Sequence, residues 1–204
     1  MYLTDFHMHS HCSNDAKNSM TEMARAARDH GIQHICFTDH CDLDAFQTGE
    51  PDPLCFENLR PGLERDWADL SRHIPAGLEV GLGLELGEAN HNPELAAEIA
   101  AWEPLDFIIG SSHNLRSCRD FYCYPYQSLE ECLALRERYL EELIETARLP
   151  CIDVIGHIGY ICRYMAKAGF PQVRVDMRVC GDALDLLLRT AIEHGHGIEC
   201  NCSG

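Results

Sequence analysis

The chain has 204 residues, of which 46% are apolar, enough for one sizeable domain with one hydrophobic core and too many for a disordered chain. Its 16 lysines and arginines and 33 aspartates and glutamates give a formal charge of −17. Such a surface repels nucleic-acid phosphates and anionic lipids, so we predict no nucleic acid and no membrane as partner, whereas a small phosphorylated substrate needs metal ions or local arginines in its pocket.

Strand-like and helix-like segments alternate along the chain. The apolar patterns predict strands over residues 2–6, 34–38, 80–86, 105–111, 152–156 and 197–201. The predicted helices are a first one that follows the Ser19–Glu22 capping box and stops at Gly31, a loose one over 54–73 interrupted by Pro61, a short one over 93–102, a long one that opens at a second capping box at Ser128, and one over 182–194. This order predicts an α/β fold with parallel strands, and a barrel is compatible with it.

The twelve cysteines are scattered over these segments and do not frame short loops. The strand pattern that begins at Tyr2 predicts a chain without a secretory signal. We therefore expect mostly free thiols and a cytoplasmic protein. The Cys200–Cys202 pair suits a soft metal, but no second cysteine pair at zinc-site spacing accompanies it.

Histidines and carboxylates follow five consecutive predicted strands, at the point where each strand ends. They are His7 and His9, then Asp39 and His40, then Glu85, then His113, and finally His157. The C-terminal ends of parallel strands converge on one face of an α/β fold, where binding sites are built. This regularity predicts a common site, against the alternative that these are isolated polar residues at the ends of loops.

The spacing of the first two histidines suits shared binding of one ion. Side chains at i and i+2 of a strand lie on the same face, so His7 and His9 point in one direction. Neutral imidazole and carboxylate suit zinc, iron or manganese, the two oxygens of Glu85 can bridge two ions, and Asp5 is a candidate for orienting a ligand histidine. His11 is ambiguous, because it either lines a pocket or belongs to a polar loop.

Five motifs in this order, HMHSH, FTDH, GLEL, SSHN and GHIGYICRY, resemble the polymerase-and-histidinol-phosphatase (PHP) superfamily of metal-dependent phosphoesterases. The resemblance covers residues 1–204 as one PHP domain. It is greatest to the histidinol-phosphatase branch, because DFHMHSHCSNDAK is similar to the opening of that branch. GHIGYICRY is similar to its G-H-x-D-x-x-x-R-Y segment, and GIECNCSG is similar to its E-x-N-T-S-G segment.

The resemblance implies a distorted (β/α)7 barrel with up to three zinc, manganese or iron ions at the C-terminal ends of the strands. By position, one ion would be held by His7, His9 and Glu85, a second by Glu85, His113 and His157, and a third in part by Asp15 and His40. It also implies that a metal-bound hydroxide attacks the phosphorus, and no further catalytic residue is assigned. Arg163, in the matching R-Y, is the first candidate for gripping the substrate phosphate, and Arg116 and Arg119 are weaker ones.

The chain also departs from the family pattern. Gly159 replaces the aspartate of G-H-x-D, and Cys202 replaces the threonine of N-T-S-G. The family continues to a seventh strand with a G-S-D-A-H-like motif that completes two metal positions, and residues 1–204 contain no such motif. We therefore expect a C-terminally incomplete barrel, without its final strand and helix and with an open edge.

Three hypotheses of function follow. The first is a histidinol-phosphatase that hydrolyses L-histidinol phosphate to L-histidinol and phosphate in histidine biosynthesis. The second is a PHP phosphoesterase that acts on another phosphomonoester or on a nucleotide. The third is a metal-binding domain without turnover, because the absent motif predicts fewer bound metals and little activity for this chain alone.

Overall fold

The computed structural model describes residues 2–43 and 55–201 of the chain. Cys202 and the first residue of the helix predicted over 54–73 lie outside this part. The strands are β1 Thr4–Met8, β2 His34–Asp42, β3 Glu79–Gly87, β4 Phe107–Ser111, β5 Val154–Ile155 and β6 Gly197–Ile198. The α-helices are α1 Met20–Asp29, α2 Phe56–Leu70, α3 Pro93–Ala100, α4 Leu129–Thr146, α5 Tyr160–Lys167 and α6 Gly181–His194, and a 3₁₀ turn spans Ala89–His91.

The six strands form one parallel sheet in chain order, from β1 to β6. The longest ladder within the described residues is that of β2 and β3, which pairs nine residues of each strand from His34–Glu79 to Asp42–Gly87. Both strands are buried along most of their length, as expected for a parallel sheet that is covered on both sides. The sheet curls into a half-barrel, which confirms the predicted fold class.

The helices pack against the sheet, and buried apolar residues of both form one core. The capping box at Ser19 and Glu22 is formed, and Gly31 adopts the left-handed φ of +79° that ends α1, both as predicted. The predicted interruption at Pro61 is wrong, because α2 continues through it from Phe56 to Leu70. Leu59 before this proline and Leu63 after it are both buried, so tertiary packing stabilises the helix despite the missing N–H of Pro61.

The first and last strands of the half-barrel approach each other at its mouth. No backbone ladder joins β1 to β6 within the described residues, yet His7 Nδ1 lies 2.8 Å from Oε1 of Glu199, which directly follows β6. None of the eleven cysteines within 2–43 and 55–201 forms a disulfide, as predicted. No helix in these ranges combines the length and apolarity needed to cross a bilayer.

Candidate metal centre

The strand ends bring the predicted side chains to one rim of the half-barrel. His7 lies within β1, and His9 is the first residue after it. β2 extends to Asp42, four residues further than predicted, so His40 is a strand residue opposite Glu85 of β3. His113 and His157 each lie two residues beyond the end of their strands, β4 and β5.

Glu85 is the centre of this arrangement. Its side chain is fully buried, and within residues 2–43 and 55–201 it is the one carboxylate that touches five histidine rings. Oε2 lies 2.9–3.2 Å from ring nitrogens of His7, His9 and His40. Oε1 lies 3.1 Å from His113 Nε2 and 2.6 Å from His157 Nε2. Ser111 Oγ donates a further hydrogen bond of 2.7 Å to Oε1, which fixes the carboxylate plane.

Three more carboxylates contact the outer nitrogens of these rings. Asp15 lies 3.1 Å from His9 Nδ1 and 3.7 Å from His40 Nε2, and its role as a metal ligand stays a prediction. Glu199 contacts His7 Nδ1 at 2.8 Å, and Asp42 contacts His113 Nδ1 at 3.0 Å. Within the described residues the Asp5 carboxylate accepts the backbone N–H of His7 and contacts no ring nitrogen, so it does not orient a ring.

A buried network supports the rim from below. Gly87 leaves room for Asp42, since a Cβ at this position would overlap the Asp42 carboxylate. Glu88 adopts a left-handed φ of +54° and accepts the backbone N–H groups of His113 and Asn114. Asp39 accepts hydrogen bonds from Ser10 and Ser13, so it fixes the loop after β1 rather than joining the site. These contacts hold the ring-bearing segments in place.

The side chains shift one another's proton affinity. Burial lowers the pKa of His7, but the hydrogen bond to Glu199 and the contacts with Glu85 outweigh it and raise the pKa to about 10. Burial also lowers the pKa of His40, but the charge of Glu85 and the hydrogen bond to Asp15 outweigh it and raise this pKa to about 10. Burial raises the pKa of Glu85, but the charges of His113 and His40 outweigh it and hold this pKa well below its ordinary value. The folded chain therefore holds a proton on His7 and on His40 more tightly than a free imidazole does.

The donor atoms fit a metal site better than a hydrogen-bond network. Within the described residues, His9 Nε2, His40 Nδ1 and Glu85 Oε2 are buried and lack hydrogen-bond partners, although Glu85 Oε2 lies 3.1 Å from His9 Nε2 and 2.9 Å from His40 Nδ1. Such atoms face a common point instead of each other. In and beside this cluster, the described residues form four groups of three potential metal ligands. In each group the three ligand atoms lie within 4.8 Å of one another: His7, His9 and Glu85; His9, Asp15 and His40; His40, Asp42 and His113; Glu85, His113 and His157. Imidazole nitrogens and carboxylate oxygens suit zinc, manganese or iron.

The predicted arginines occupy different places. Arg163 of α5 lines the open cavity of about 1950 Å³ above the histidines, together with Arg174, which the sequence analysis did not name. Arg116 donates to the backbone oxygens of Asn90 and His91 instead, and Arg119 is exposed. Neither Arg116 nor Arg119 is among the residues that line this cavity, and their substrate role remains a prediction.

A parallel half-barrel with histidines and carboxylates at its strand ends is an α/β fold with a candidate metal centre. The family model of the PHP domain matches residues 5–203. The chain therefore belongs to the PHP domain family.

Similar proteins include several phosphatases. A histidinol-phosphatase from Lactococcus lactis is 29% identical over 176 residues, which cover 78% of this chain and 58% of that protein. A probable phosphatase from Acetivibrio thermocellus is 25% identical over 200 residues, which cover 98% of this chain and 65% of that protein. The chain thus spans less than two thirds of the length of these curated relatives.

Solved structures show the same fold. The histidinol phosphate phosphatase of Lactococcus lactis, in complex with zinc, L-histidinol and phosphate, matches with a TM-score of 0.70 and 20% identity over 98% of this chain and 73% of that one. The crystal structure of the putative histidinol phosphatase of Listeria monocytogenes matches with a TM-score of 0.68 and 13% identity over 96% of this chain and 80% of that one. These similarities extend the half-barrel assignment over nearly the whole chain.

Proposed function

We propose that this chain is the metal-binding domain of a phosphomonoesterase whose substrate is L-histidinol phosphate. The observation that carries the proposal is the buried Glu85 carboxylate with five imidazoles within 3.2 Å, at the floor of a cavity that also contains Arg163 and Arg174. The named relatives that act on histidinol phosphate support the substrate. Divalent cations held by these side chains would lower the pKa of water and neutralise phosphoryl charge.

The chain's own residues would prepare this chemistry in three ways. Glu85 would bridge two cations, with His7 and His9 on one side and His113 and His157 on the other, while Asp15 and His40 would hold a third. Glu199 and Asp42 would set the orientation of the His7 and His113 rings, because each carboxylate contacts the outer ring nitrogen.

The cavity walls would bind the substrate. Arg163 and Arg174 would offset the net charge of −17 near the phosphate and orient it through charge-assisted hydrogen bonds. Tyr160 stacks on His157 with its ring centroid at 4.6 Å and so forms an aromatic wall beside the metal ligands. Such a wall suits a substrate with a planar imidazole.

The proposal is tested by phosphate release from L-histidinol phosphate after reconstitution with zinc or manganese, in parallel with mononucleotides and a phosphodiester. We expect the metal-loaded protein to hydrolyse histidinol phosphate fastest and the chelated protein to be inactive. Equal inactivity of both samples on histidinol phosphate contradicts this substrate. Faster hydrolysis of a nucleotide or phosphodiester favours the second hypothesis, and tight metal binding without hydrolysis of any ester favours a domain without turnover.

Arg163 is expected to bind the phosphate of the substrate. Replacing it by glutamine removes a charged hydrogen-bond donor worth about 1.5–3 kcal/mol, so KM should rise roughly 10- to 100-fold with a smaller change in kcat. Steady-state kinetics on Arg163→Gln, compared with Arg116→Gln and Arg119→Gln, measure this. A larger KM effect at Arg116 or Arg119 would move the phosphate site to that residue.

Position 159 is expected to tolerate aspartate, which the G-H-x-D segment of the histidinol-phosphatase branch has in place of Gly159. It is the N-cap of α5 with a φ of −100°, it lines the cavity, and a Cβ added there meets no atom within 4 Å. An aspartate suits a helix N-cap, and its charge would face the ammonium group of histidinol phosphate. We expect Gly159→Asp to raise kcat/KM for this cationic ester at least about threefold, which corresponds to roughly 0.65 kcal/mol.

Two control variants isolate the cause. Gly159→Asn supplies the cap without the charge, and Gly181→Asp adds the same charge at the start of α6, outside the cavity and also in open space. Competition assays between histidinol phosphate and an uncharged alcohol phosphate compare the variants. An equal gain in Gly159→Asn or Gly181→Asp contradicts a local charge effect.

A further inference from the structure

A second group of metal-ligating side chains lies outside the Glu85 cluster, between the loop after β1 and helix α2. His11 Nε2, the Cys12 sulfur and a carboxylate oxygen of Asp66 all lie within 4.8 Å of one another. His11 Nε2 approaches Asp66 Oδ2 to 2.6 Å. The group contains a thiol, which the triads around Glu85 lack.

The Asp66 carboxylate has the same signature as the donor atoms of the Glu85 cluster. Its side chain is only 9% exposed, and Oδ2 is buried without a hydrogen-bond partner despite the short contact with His11. The other oxygen, Oδ1, accepts a hydrogen bond from Arg65. Because Oδ2 is close to the ring nitrogen but not aligned for a hydrogen bond with it, both atoms face a shared point.

The helix leaves space for the sulfur. Gly62 lies one turn before Asp66 on α2, and a Cβ at Gly62 would approach the Cys12 sulfur to 3.3 Å. The His11 side chain is 38% exposed, so one side of the group is open to solvent. The loop is closed beneath it by the His11 N–H, which donates to the Asn18 carbonyl at 2.8 Å.

We infer that His11, Cys12 and Asp66 form a second site for a borderline divalent cation of the zinc type, separate from the Glu85 cluster. A thiolate, an imidazole and a carboxylate are the donors that zinc accepts, and the exposed side leaves a position for water. A cation here would fasten the loop that carries Asp15 to α2. A bare His11–Asp66 ion pair, with Cys12 as a bystander, is the alternative that the experiment excludes or supports.

Cobalt(II) titration of the full chain separates the two, because a cobalt–thiolate bond gives a near-ultraviolet charge-transfer band that nitrogen and oxygen donors do not. We expect the band in the unmodified protein and its loss in Cys12→Ser. Asp66→Asn should weaken the cobalt affinity that the band reports at least about tenfold, the lower limit for perturbing a metal site. Cys200→Ser is the matched control, because Cys200 lines the main cavity, and it should retain the band.

A second measurement on the unmodified chain does not depend on folding of the variants. Zinc should slow alkylation of Cys12, followed by mass spectrometry, at least about tenfold relative to the exposed Cys123, because a coordinated thiolate is shielded. The site is refuted if cobalt saturation produces no thiolate band, if the band persists in Cys12→Ser, or if zinc leaves Cys12 as reactive as before.

Discussion

Replacing Glu85 by glutamine should remove at least half of the tightly bound divalent metal and lower phosphatase activity at least about 10³-fold. Glu85 is the shared contact of all five histidine rings, so no other substitution in the described residues affects as many candidate ligands at once. Glutamine keeps the size of the side chain but loses its charge and presents an amide donor where imidazoles and cations need an acceptor. The loss corresponds to about 4 kcal/mol, within the several kcal/mol that metal ions contribute to such reactions.

Elemental analysis after gel filtration and phosphate-release kinetics on the same samples measure the two effects. Glu98→Gln is the matched control, because Glu98 is an exposed residue of α3 and its loss removes the same charge far from the rim. Full metal content together with full activity in Glu85→Gln would show that the cations are held elsewhere. Normal metal content with lost activity would restrict Glu85 to the reaction itself.

Chelation should lower the melting temperature and make it depend on pH in a defined direction. Saturating metal at about 1,000 times its dissociation constant stabilises by roughly 4 kcal/mol, or about 8–16 °C for a domain of this size. Without metal, His7 and His40 bind protons more tightly in the folded chain, with pKa values of about 10, than in the unfolded chain. Their stabilisation is fully present below pH 6.5 and is lost as the pH rises towards 10.

The metal-loaded protein should not show this alkaline loss, because the cations replace the protons on both rings. Below about pH 6, protons compete with the cations, so the two melting temperatures should converge. Differential scanning calorimetry at pH 6, 7.5 and 9, with and without chelator, tests both statements. A chelated sample whose stability rises between pH 6.5 and 9 would contradict the raised pKa values, and the double variant His7→Gln, His40→Gln should lose the slope.

Local sequence patterns predicted the rim of the half-barrel well. His7 and His9 were found through the i, i+2 spacing, and Glu85, His113 and His157 through their positions at the ends of successive strands. The structure brings these side chains together at the rim, because parallel strands deliver their C-terminal ends to one place. Their role as metal ligands stays a prediction that the Glu85 experiment tests.

The supporting carboxylates were missed because their partners are distant in the chain. Asp42 contacts His113, which is 71 residues away, and Glu199 contacts His7, which is 192 residues away. No periodicity links such pairs. Asp42 lies at i+2 from His40 and would have been found if the extent of β2 had been known, but tertiary pairing with β3 sets where β2 ends. Helix α5 was missed too, because its residues were treated only as a motif.

The contact between His7 and Glu199 connects the two outer strands of the half-barrel through side chains. Glu199 also accepts the backbone N–H of His157 at 2.8 Å, so one side chain joins the first strand, the end of the fifth and the segment after the sixth. A cation that pulls on the His7 ring therefore pulls on both outer margins of the sheet. Binding of a cation at Glu85 would then draw those margins together, and we expect hydrogen exchange of the amides of β1 and β6 to slow when metal is added.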